Sequence, residues 1–233
     1  MKVTKLFVIL GFAFALALAG GSSARAAADG GAPPPRGALP LLLIHGGSFL
    51  FDDPTFQART EGPAIAAGFA PHYLSYPLGD LPGALIAARK GAARLRRRYD
   101  GGDVYAYGSS AGGTIAALLA GEGVVSAAVA KAPPSDLLGW EWPLSAYGPD
   151  YYERIGTSPA VRRRLSPLRR PMERPLLVVQ GRADRVVPLA MSETFAAKFR
   201  QVHLWVVPGG HATERTHPGV TRRAMRWLGK PHL

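Results

Sequence analysis

The chain has 233 residues, of which 47% are hydrophobic and 19% are charged, and its formal net charge is +12 at pH 7. A chain of this length and apolar content can bury one hydrophobic core, which predicts a folded domain and excludes an extended or disordered protein. It contains no cysteine, which excludes disulfides, thiolate metal sites and a cysteine nucleophile.

The N-terminal residues have the composition of a secretory signal peptide. Two lysines precede an apolar run over residues 6–19, and small residues with an A-x-A pattern end at Ala26. The run is short for a bilayer-spanning helix, which needs about 20 apolar residues, so we expect cleavage rather than a permanent anchor. We therefore predict a signal peptide over residues 1–26, a periplasmic or secreted bacterial protein, and no stable membrane insertion after cleavage.

A leader rich in Pro, Gly and Ala follows at residues 27–38 and is expected to be flexible or extended. The remaining residues, 39–233, are predicted to form one domain in which strands and helices alternate. The strands are predicted at 39–47, 69–76, 103–108, 124–130, 175–181 and 202–210. The main helices are predicted at 54–67, 82–98, 111–121, 189–200 and 217–228. This alternation predicts an α/β fold with a doubly wound, mostly parallel sheet of about six core strands, in which ligands bind beyond the carboxyl ends of the strands.

The third predicted strand runs into Gly-Ser-Ser-Ala-Gly at residues 108–112, a G-x-S-x-G pattern centred on Ser110. In a tight strand-to-helix turn, the central serine takes an unfavourable backbone angle and its hydroxyl points outward. Small residues on either side let the strand and the helix approach each other. The next amide, that of Ala111, lies near a helix N-terminus, where partial positive charge collects. Ser110 is therefore a candidate nucleophile, and the Ala111 amide is a candidate donor to an oxyanion.

A serine hydroxyl needs a base, and the base needs an acid that fixes its tautomer. His211 follows the sixth predicted strand in a glycine loop at the carboxyl edge, and this position selects it among the six histidines. Asp184 follows the fifth predicted strand at the same edge, and Asp136 and Asp150 are the alternative acids. The order Ser, Asp, His along the chain favours Asp184, because α/β-hydrolases use that order.

The first predicted strand ends in the sequence His45-Gly46-Gly47-Ser48. Two glycines let the backbone approach a ligand closely and direct its amides. The amide of Gly47, with that of Gly46 or Ser48, would join the Ala111 amide in an oxyanion hole, and the alternative is a simple strand-ending turn. We interpret His45 as structural support for this loop.

The sequences HGGSF, GSSAGG, GRADRVVP and PGGHAT, in this order, resemble the α/β-hydrolase superfamily, and within it the hormone-sensitive-lipase-like or BD-FAE-like esterases. The resemblance covers roughly residues 39–229. By similarity it implies a compact α/β-hydrolase fold with nucleophile Ser110, acid Asp184 and base His211. The chain departs from the family at Ser109, where many esterases have Asp or Glu, and the two antiparallel strands common at the start of the fold are missing or reduced.

The resemblance implies a serine hydrolase, most directly a carboxylic-ester hydrolase that acts on small or short-acyl esters through an acyl-enzyme on Ser110. A peptidase or amidase, an acyltransferase and a non-catalytic binding protein on the same fold are the alternatives. We expect a small-molecule ester as substrate. We expect no cofactor and no metal, because the sequence has no clustered ligand spacing. The oligomeric state stays open.

Residues 133–174 lie where the family places its cap. Five aromatic residues in this segment either wall a substrate pocket or hold the cap onto the sheet: Trp140, Trp142, Tyr147, Tyr151 and Tyr152.

Arginines cluster at residues 94–98, 162–164, 169–174 and 222–226. They would suit either an anionic partner or solvent-exposed helix faces and helix ends. The clusters are dispersed, and no aromatic residues interleave with them to form a stacking platform for bases. We therefore expect no nucleic-acid partner.

Overall fold

The computed structural model describes residues 37–230, so the predicted signal peptide and nearly all of the predicted leader lie outside the described residues. The strands of this part are β1 (Leu39–Ile44), β2 (Phe69–Tyr73), β3 (Tyr105–Ser109), β4 (Ala127–Lys131), β5 (Leu176–Gly181) and β6 (Val202–Val207). The helices are α1 (Phe56–Ile65), α2 (Leu81–Arg98), α3 (Ala111–Gly121), α4 (Trp142–Tyr147), α5 (Tyr151–Arg154), α6 (Pro159–Leu165), α7 (Leu189–Lys198) and α8 (Val220–Leu228). Short 3-10 turns cover Pro167–Arg169 and Thr213–Arg215.

The six strands form one sheet in the order β2-β1-β3-β4-β5-β6, and every neighbouring pair is parallel. The chain passes from β1 outward to β2 and then returns across β1 to β3, so the direction of winding reverses between β1 and β3. The segments that leave the carboxyl ends of these strands meet at one edge, where ligands bind in open α/β sheets. The predicted α/β fold with a doubly wound parallel sheet is confirmed.

Helices cover both faces of the sheet, which is why its strands are apolar without interruption. On β1, Leu41 and Leu43 point into one hydrophobic cluster, and Leu42 and Ile44 point into the other. Helices α1 and α8 contribute to the first cluster. Helices α2, α3 and α7 contribute to the second. Every residue of α3 is buried, which explains its composition of Ala, Leu, Gly, Ile and Thr without a charged face.

Several predicted boundaries differ from the structure, and the local reasons differ from one boundary to the next. The fourth strand begins at Ala127 and not at residue 124, because Val124 and Val125 pack into the core before the chain reaches the sheet. The first strand ends at Ile44, so its glycines already belong to the loop. Helix α1 begins at Phe56 and not at residue 54, because the Asp53 carboxylate accepts hydrogen bonds in a preceding turn.

The segment 133–174 leaves the carboxyl edge after β4 and contains α4, α5 and α6. Trp140, Tyr151 and Tyr152 are buried, and the Tyr152 hydroxyl donates to the Trp140 carbonyl oxygen. Trp142 and Tyr147 are only half-buried. The first three side chains thus hold the segment together, and the rings of the other two pack against Trp140 and Tyr151 at its surface.

Within residues 37–230, none of the helices combines the length and the apolar character that a membrane span requires.

Candidate active site

Ser110 occupies the turn between β3 and α3, and its backbone has φ +54° and ψ −119°, a sparsely populated conformation for a residue with a side chain. The glycines on either side make this turn sterically possible. A Cβ atom at Gly108 would lie 2.0 Å from the Gly112 carbonyl oxygen, and one at Gly112 would lie 2.2 Å from the Ile44 carbonyl oxygen. Only glycine fits at these two positions, so the spacing of the G-x-S-x-G pattern has a direct steric cause.

The structure brings Ser110, His211 and Asp184 together. The His211 Nε2 atom lies 3.0 Å from Ser110 Oγ, and the His211 Nδ1 atom lies 2.8 Å from Asp184 Oδ2. With the proton on Nδ1, the imidazole donates to the carboxylate, and its Nε2 lone pair accepts from the serine hydroxyl. Three residues that are far apart in sequence therefore form one hydrogen-bonded chain at the carboxyl edge of the sheet.

The two alternative acids lie elsewhere. The Asp136 carboxylate accepts two hydrogen bonds from the Arg169 guanidinium, at 3.0 and 2.8 Å. Asp150 is exposed and lies 4.0 Å from the Arg154 guanidinium. Of the three candidate acids, only Asp184 contacts His211.

The Asp184 carboxylate is fully buried, and donors from the protein surround it. Its Oδ1 atom accepts from the amides of Val186 and Val187 at 2.8 and 3.0 Å, and its Oδ2 atom accepts from Gln180 Nε2 at 2.9 Å. Burial acts to raise the pKa of Asp184, but the hydrogen bond and charge of His211 and the two amides hold that pKa below its ordinary value. The carboxylate is therefore ionised at neutral pH and fixed in orientation.

Gln180 is a part of the site that sequence patterns did not indicate. Its side chain is buried at the end of β5, where it also donates to the Val187 carbonyl oxygen at 3.0 Å and accepts from Ser192 Oγ at 2.8 Å. Each of these bonds restricts the amide that points at Asp184. The sequence sign of its role was that Gln180 is a single polar residue in the apolar run of β5. A search for catalytic motifs does not detect such a residue.

The loops that carry Asp184 and His211 pack against each other so closely that no side chain fits between them. A Cβ atom at Gly181 would lie 2.2 Å from the Gly210 carbonyl oxygen. The Ala183 amide donates to the Gly209 carbonyl oxygen at 2.8 Å, which adds a backbone bond between the loops. The distance between acid and base is therefore set by backbone contact as well as by their own hydrogen bond.

The glycine loop after β1 turns in the left-handed region, with φ values of +105° at Gly47, +53° at Ser48 and +59° at Phe49. The amides of Leu50 and Phe51 both donate to the Gly47 carbonyl oxygen, at 3.0 and 2.9 Å. A Cβ atom at Gly47 would lie 1.9 Å from the Phe51 carbonyl oxygen, so this position requires glycine.

The same loop lies against the turn that holds Ser110. A Cβ atom at Gly46 would be 3.3 Å from Ser110 Cβ. Within residues 37–230, no oxygen accepts a hydrogen bond from the amide of Gly46, Gly47 or Ala111. Of the three amides predicted to form an oxyanion hole, that of Ala111 directly follows Ser110 and that of Gly46 belongs to a residue packed against the serine turn, with Gly47 next in the same loop.

His45 lies beneath this loop and away from the reacting atoms. Its ring stacks on the Tyr76 ring with the centroids 4.3 Å apart. The Tyr76 hydroxyl donates to the carbonyl oxygens of His45 and Gly46, at 3.0 and 3.2 Å. Both contacts join the loop to Tyr76, which follows β2.

The cap segment contacts both loops of the site. The Tyr151 hydroxyl donates to the Ser48 carbonyl oxygen at 2.9 Å, and the Tyr147 hydroxyl lies 3.1 Å from Ser48 Oγ. On the other side, the Trp140 indole donates to the Val186 carbonyl oxygen at 2.7 Å. The cap thus fixes the glycine loop and the Asp184 loop.

Among residues 37–230, no group of three His, Asp or Glu side chains is placed to bind a metal ion.

Comparisons with solved structures show the same fold in three esterases. A truncated carbohydrate esterase from gut microbiota is 17% identical, with 84% of this chain and 86% of that chain covered and a TM-score of 0.69. An acetyl ester-xyloside bifunctional hydrolase from Caldicellulosiruptor lactoaceticus is 17% identical, with 84% of each chain covered and a TM-score of 0.71. A thermophilic esterase from Thermogutta terrifontis is 20% identical, with 86% and 82% covered and a TM-score of 0.63.

No curated protein sequence matches the chain. The family model described as the prolyl oligopeptidase family matches residues 85–229, which is more than half of the chain and includes Ser110, Asp184 and His211. With the fold of the esterases above, this match confirms the resemblance to the α/β-hydrolase superfamily. The chain belongs to the prolyl oligopeptidase family within that superfamily.

Proposed function

We propose that this protein hydrolyses carboxylic esters with short acyl groups through an acyl-enzyme on Ser110. The observation that carries the proposal is the hydrogen-bonded chain from Ser110 Oγ through His211 to the buried Asp184 carboxylate. Family membership supports the broader class of serine hydrolase. The choice of ester rests on the neighbours' printed names, and the acetyl ester hydrolase among them makes an acetyl group the first acyl group to test.

Acylation begins when Ser110 Oγ attacks the ester carbonyl carbon and His211 Nε2 takes the hydroxyl proton. Asp184 then lies 2.8 Å from the resulting imidazolium, and its negative charge stabilises that cation. The carbonyl oxygen becomes an oxyanion that the amides of Ala111 and Gly47, with Gly46 beside them, are placed to bind. One donor of this kind lowers the activation free energy by about 3–4 kcal/mol.

Collapse of the tetrahedral intermediate returns the proton from His211 to the leaving alcohol and leaves the acyl group on Ser110. Water then repeats the sequence, with His211 as base, and releases the acid. Phe51 is largely exposed, and Trp142 and Tyr147 are half-buried. The Phe51 and Tyr147 rings are 5.8 Å apart, and the Tyr147 hydroxyl contacts Ser48 of the glycine loop. We propose that these three side chains wall the pocket for the acyl or alcohol group.

A peptidase is the second candidate, because the matching family is named for oligopeptide cleavage. The same three residues would cleave an amide, so only substrates separate the two functions. A panel of p-nitrophenyl acetate, butyrate and octanoate, measured beside a prolyl p-nitroanilide peptide, compares kcat/KM for the two classes. Turnover of the acetyl ester that exceeds turnover of the anilide peptide and of the octanoyl ester supports the proposal, and the reverse preference contradicts it.

The substitution Ser110→Ala tests the nucleophile. We expect p-nitrophenyl acetate turnover to fall to background and fluorophosphonate labelling to disappear, because the attacking oxygen is removed. The thermal melting temperature should stay close to that of the wild type, because alanine keeps the Cβ atom at this position. Turnover retained by the folded variant would contradict the assignment.

A further inference from the structure

An ion pair between a buried lysine and a half-buried glutamate joins two segments of the site, and the mechanism above does not use it. Lys131 is the last residue of β4 and is 5% exposed, and its ammonium lies 2.5 Å from Glu214 Oε1. Withdrawing two charges from water is costly unless the pair is well formed, so a pair at this place needs an explanation. The fourth strand was predicted to end at Ala130, one residue short of this lysine.

Each end of the pair belongs to a segment that carries a proposed catalytic group. The Lys131 carbonyl oxygen accepts the Ser110 amide at 2.7 Å, so the backbone of this lysine supports the nucleophile's turn. Glu214 lies three residues after His211, in the 3-10 turn that continues the histidine's loop. A charge-assisted bond, stronger than a neutral one, therefore links the two segments.

A second ion pair lies at the start of α1. The Arg59 guanidinium of α1 lies 2.6 Å from the Asp53 carboxylate. Asp53 lies six residues after Gly47 in the chain. Burial acts to raise the pKa of Glu214, but the charge and hydrogen bond of Lys131 and the charge of Arg59 hold that pKa below its ordinary value. The two ion pairs thus join β4 with the histidine loop, and α1 with the turn before it.

The opposite side of the histidine loop is held by different contacts. The Thr216 hydroxyl donates to the Pro208 carbonyl oxygen at 2.9 Å, and Gly209 accepts from the Ala183 amide at 2.8 Å. These bonds tie the loop to itself and to the Asp184 loop. The bond from Glu214 to Lys131 ties it to the strand beside Ser110.

We propose that Lys131 and Glu214 are positioning residues that hold His211 at hydrogen-bonding distance from Ser110. The inference rests on the proposed function, because positioning has meaning only if His211 serves as the base for Ser110. Displacement of a reacting group by about 1 Å can lower a rate by about 10²-fold, and the ion pair opposes such a displacement.

The test removes both charges together, because removal of Glu214 alone would leave the Lys131 ammonium buried and unpaired. The double variant Lys131→Met, Glu214→Gln keeps the side-chain volumes and breaks the tether. Its matched control is Arg89→Met, Glu122→Gln, which removes an ion pair with a 2.7 Å contact just beyond the far end of α3. For each protein, p-nitrophenyl acetate gives kcat and KM, fluorophosphonate gives the labelling rate of Ser110, and a melt shows that the protein is folded.

We expect the Lys131–Glu214 variant to lose about 10- to 100-fold in kcat and in labelling rate, with KM within about twofold of the wild type. The control variant should keep the wild-type kcat. A folded Lys131–Glu214 variant with wild-type kcat overturns the proposal and leaves only a structural role. If that variant does not fold, Glu214→Asp, which keeps the charge and shortens the reach, decides the question by the same two outcomes. A wild type that neither turns over ester nor reacts with fluorophosphonate overturns the proposed function and this inference together.

Discussion

The carboxylate of Asp184 shows how one residue acquires a role from its surroundings. It has four donors, lies out of solvent and points at His211, whereas the carboxylate of Asp136 is held by Arg169. Both residues follow strands at the carboxyl edge, so their positions in the chain are similar. Their different partners separate the acid of the site from an ordinary surface ion pair.

The substitutions Asp184→Asn and Asp136→Asn test this difference as a matched pair. Asparagine at position 184 cannot hold the imidazole in the same tautomer, so kcat should fall by about 10³- to 10⁴-fold. Asparagine at position 136 should change kcat little, because the partner there is Arg169 and not His211. Equal effects of the two variants on p-nitrophenyl acetate turnover would contradict the assignment of the acid.

The residues of the hydrogen-bonded chain were predictable because each follows a strand in a recognisable motif, in a fixed order along the sequence. Gln180 and Lys131 were not predictable in this way. Each is a single polar residue at the end of an apolar strand, and its partners, Ser192 and Glu214, become neighbours only in the folded chain. The spacing of residues in a motif predicts local geometry, but it does not predict contacts between segments that are distant in the sequence.

At the scale of elements, the close packing of β1, β3 and α3 shapes the nucleophile's turn. Gly112 contacts the Ile44 backbone at a distance that excludes any side chain. Gly91 in α2 is also a buried helical glycine, but its surroundings differ. A Cβ atom there would meet only flexible leucine methyl groups, at 3.2 Å from Leu74 and 3.5 Å from Leu42.

The substitution Gly112→Ala is therefore expected to lower the free energy of unfolding by about 3 kcal/mol or more, because rigid backbone cannot move aside. The corresponding Gly91→Ala change should stay within about 1 kcal/mol of the wild type, since the better helix propensity of alanine offsets a small repacking of leucine methyls. Urea unfolding of the two variants measures both values. Similar losses in both would show that the Gly112 contact is not the limiting one.

Elements were predicted best where burial and secondary structure coincide. Helix α3 has the predicted bounds, 111–121, because a motif fixes its start and Gly121 marks its end. The starts of β4 and α1 were predicted too early. Val125 is buried and Val124 half-buried outside the sheet, and Asp53 caps a turn and not the helix itself.

At the scale of the whole molecule, many charges are used in local contacts. Arg162 lies over the Tyr152 ring and Arg223 over the Trp205 ring, at 3.9 and 4.5 Å from the centroids. Arg89 and Arg170 both approach the Glu122 carboxylate. These arginines lie in or near the clusters that the sequence shows, and each has a structural partner in the described chain.

The carboxyl groups determine how stability depends on pH. Burial acts to raise the pKa of each of four of them, but ion pairs and hydrogen bonds hold the pKa below its ordinary value: Asp53, Asp136, Asp184 and Glu214. A group whose pKa is lower in the folded state stabilises the fold above its unfolded pKa, about 4, and loses that contribution as the pH falls through the folded value. We expect the contribution of these four groups to be level from about pH 7 to pH 5 and to decrease below about pH 4. Burial lowers the pKa of His72, so this side chain adds a separate loss of stability as the pH falls below about 6.5.

Urea unfolding at a series of pH values measures this decrease. The variant Asp136→Asn lacks one of the four groups, so its loss of stability between neutral and acid pH should be smaller than that of the wild type. An Asp136→Asn variant with the full wild-type decrease, or a wild type that gains stability in acid, would contradict the pKa directions.

The Asp184 and His211 loops are in backbone contact at Gly181 and Gly210, and this contact limits how the site could be transferred to another protein. Because each loop is moulded on the backbone of the other, neither can be grafted alone and keep its shape. Both loops would have to be transferred together, with the ends of β5 and β6 that precede them. Their shared interface is then the smallest unit that a protein engineer can exchange.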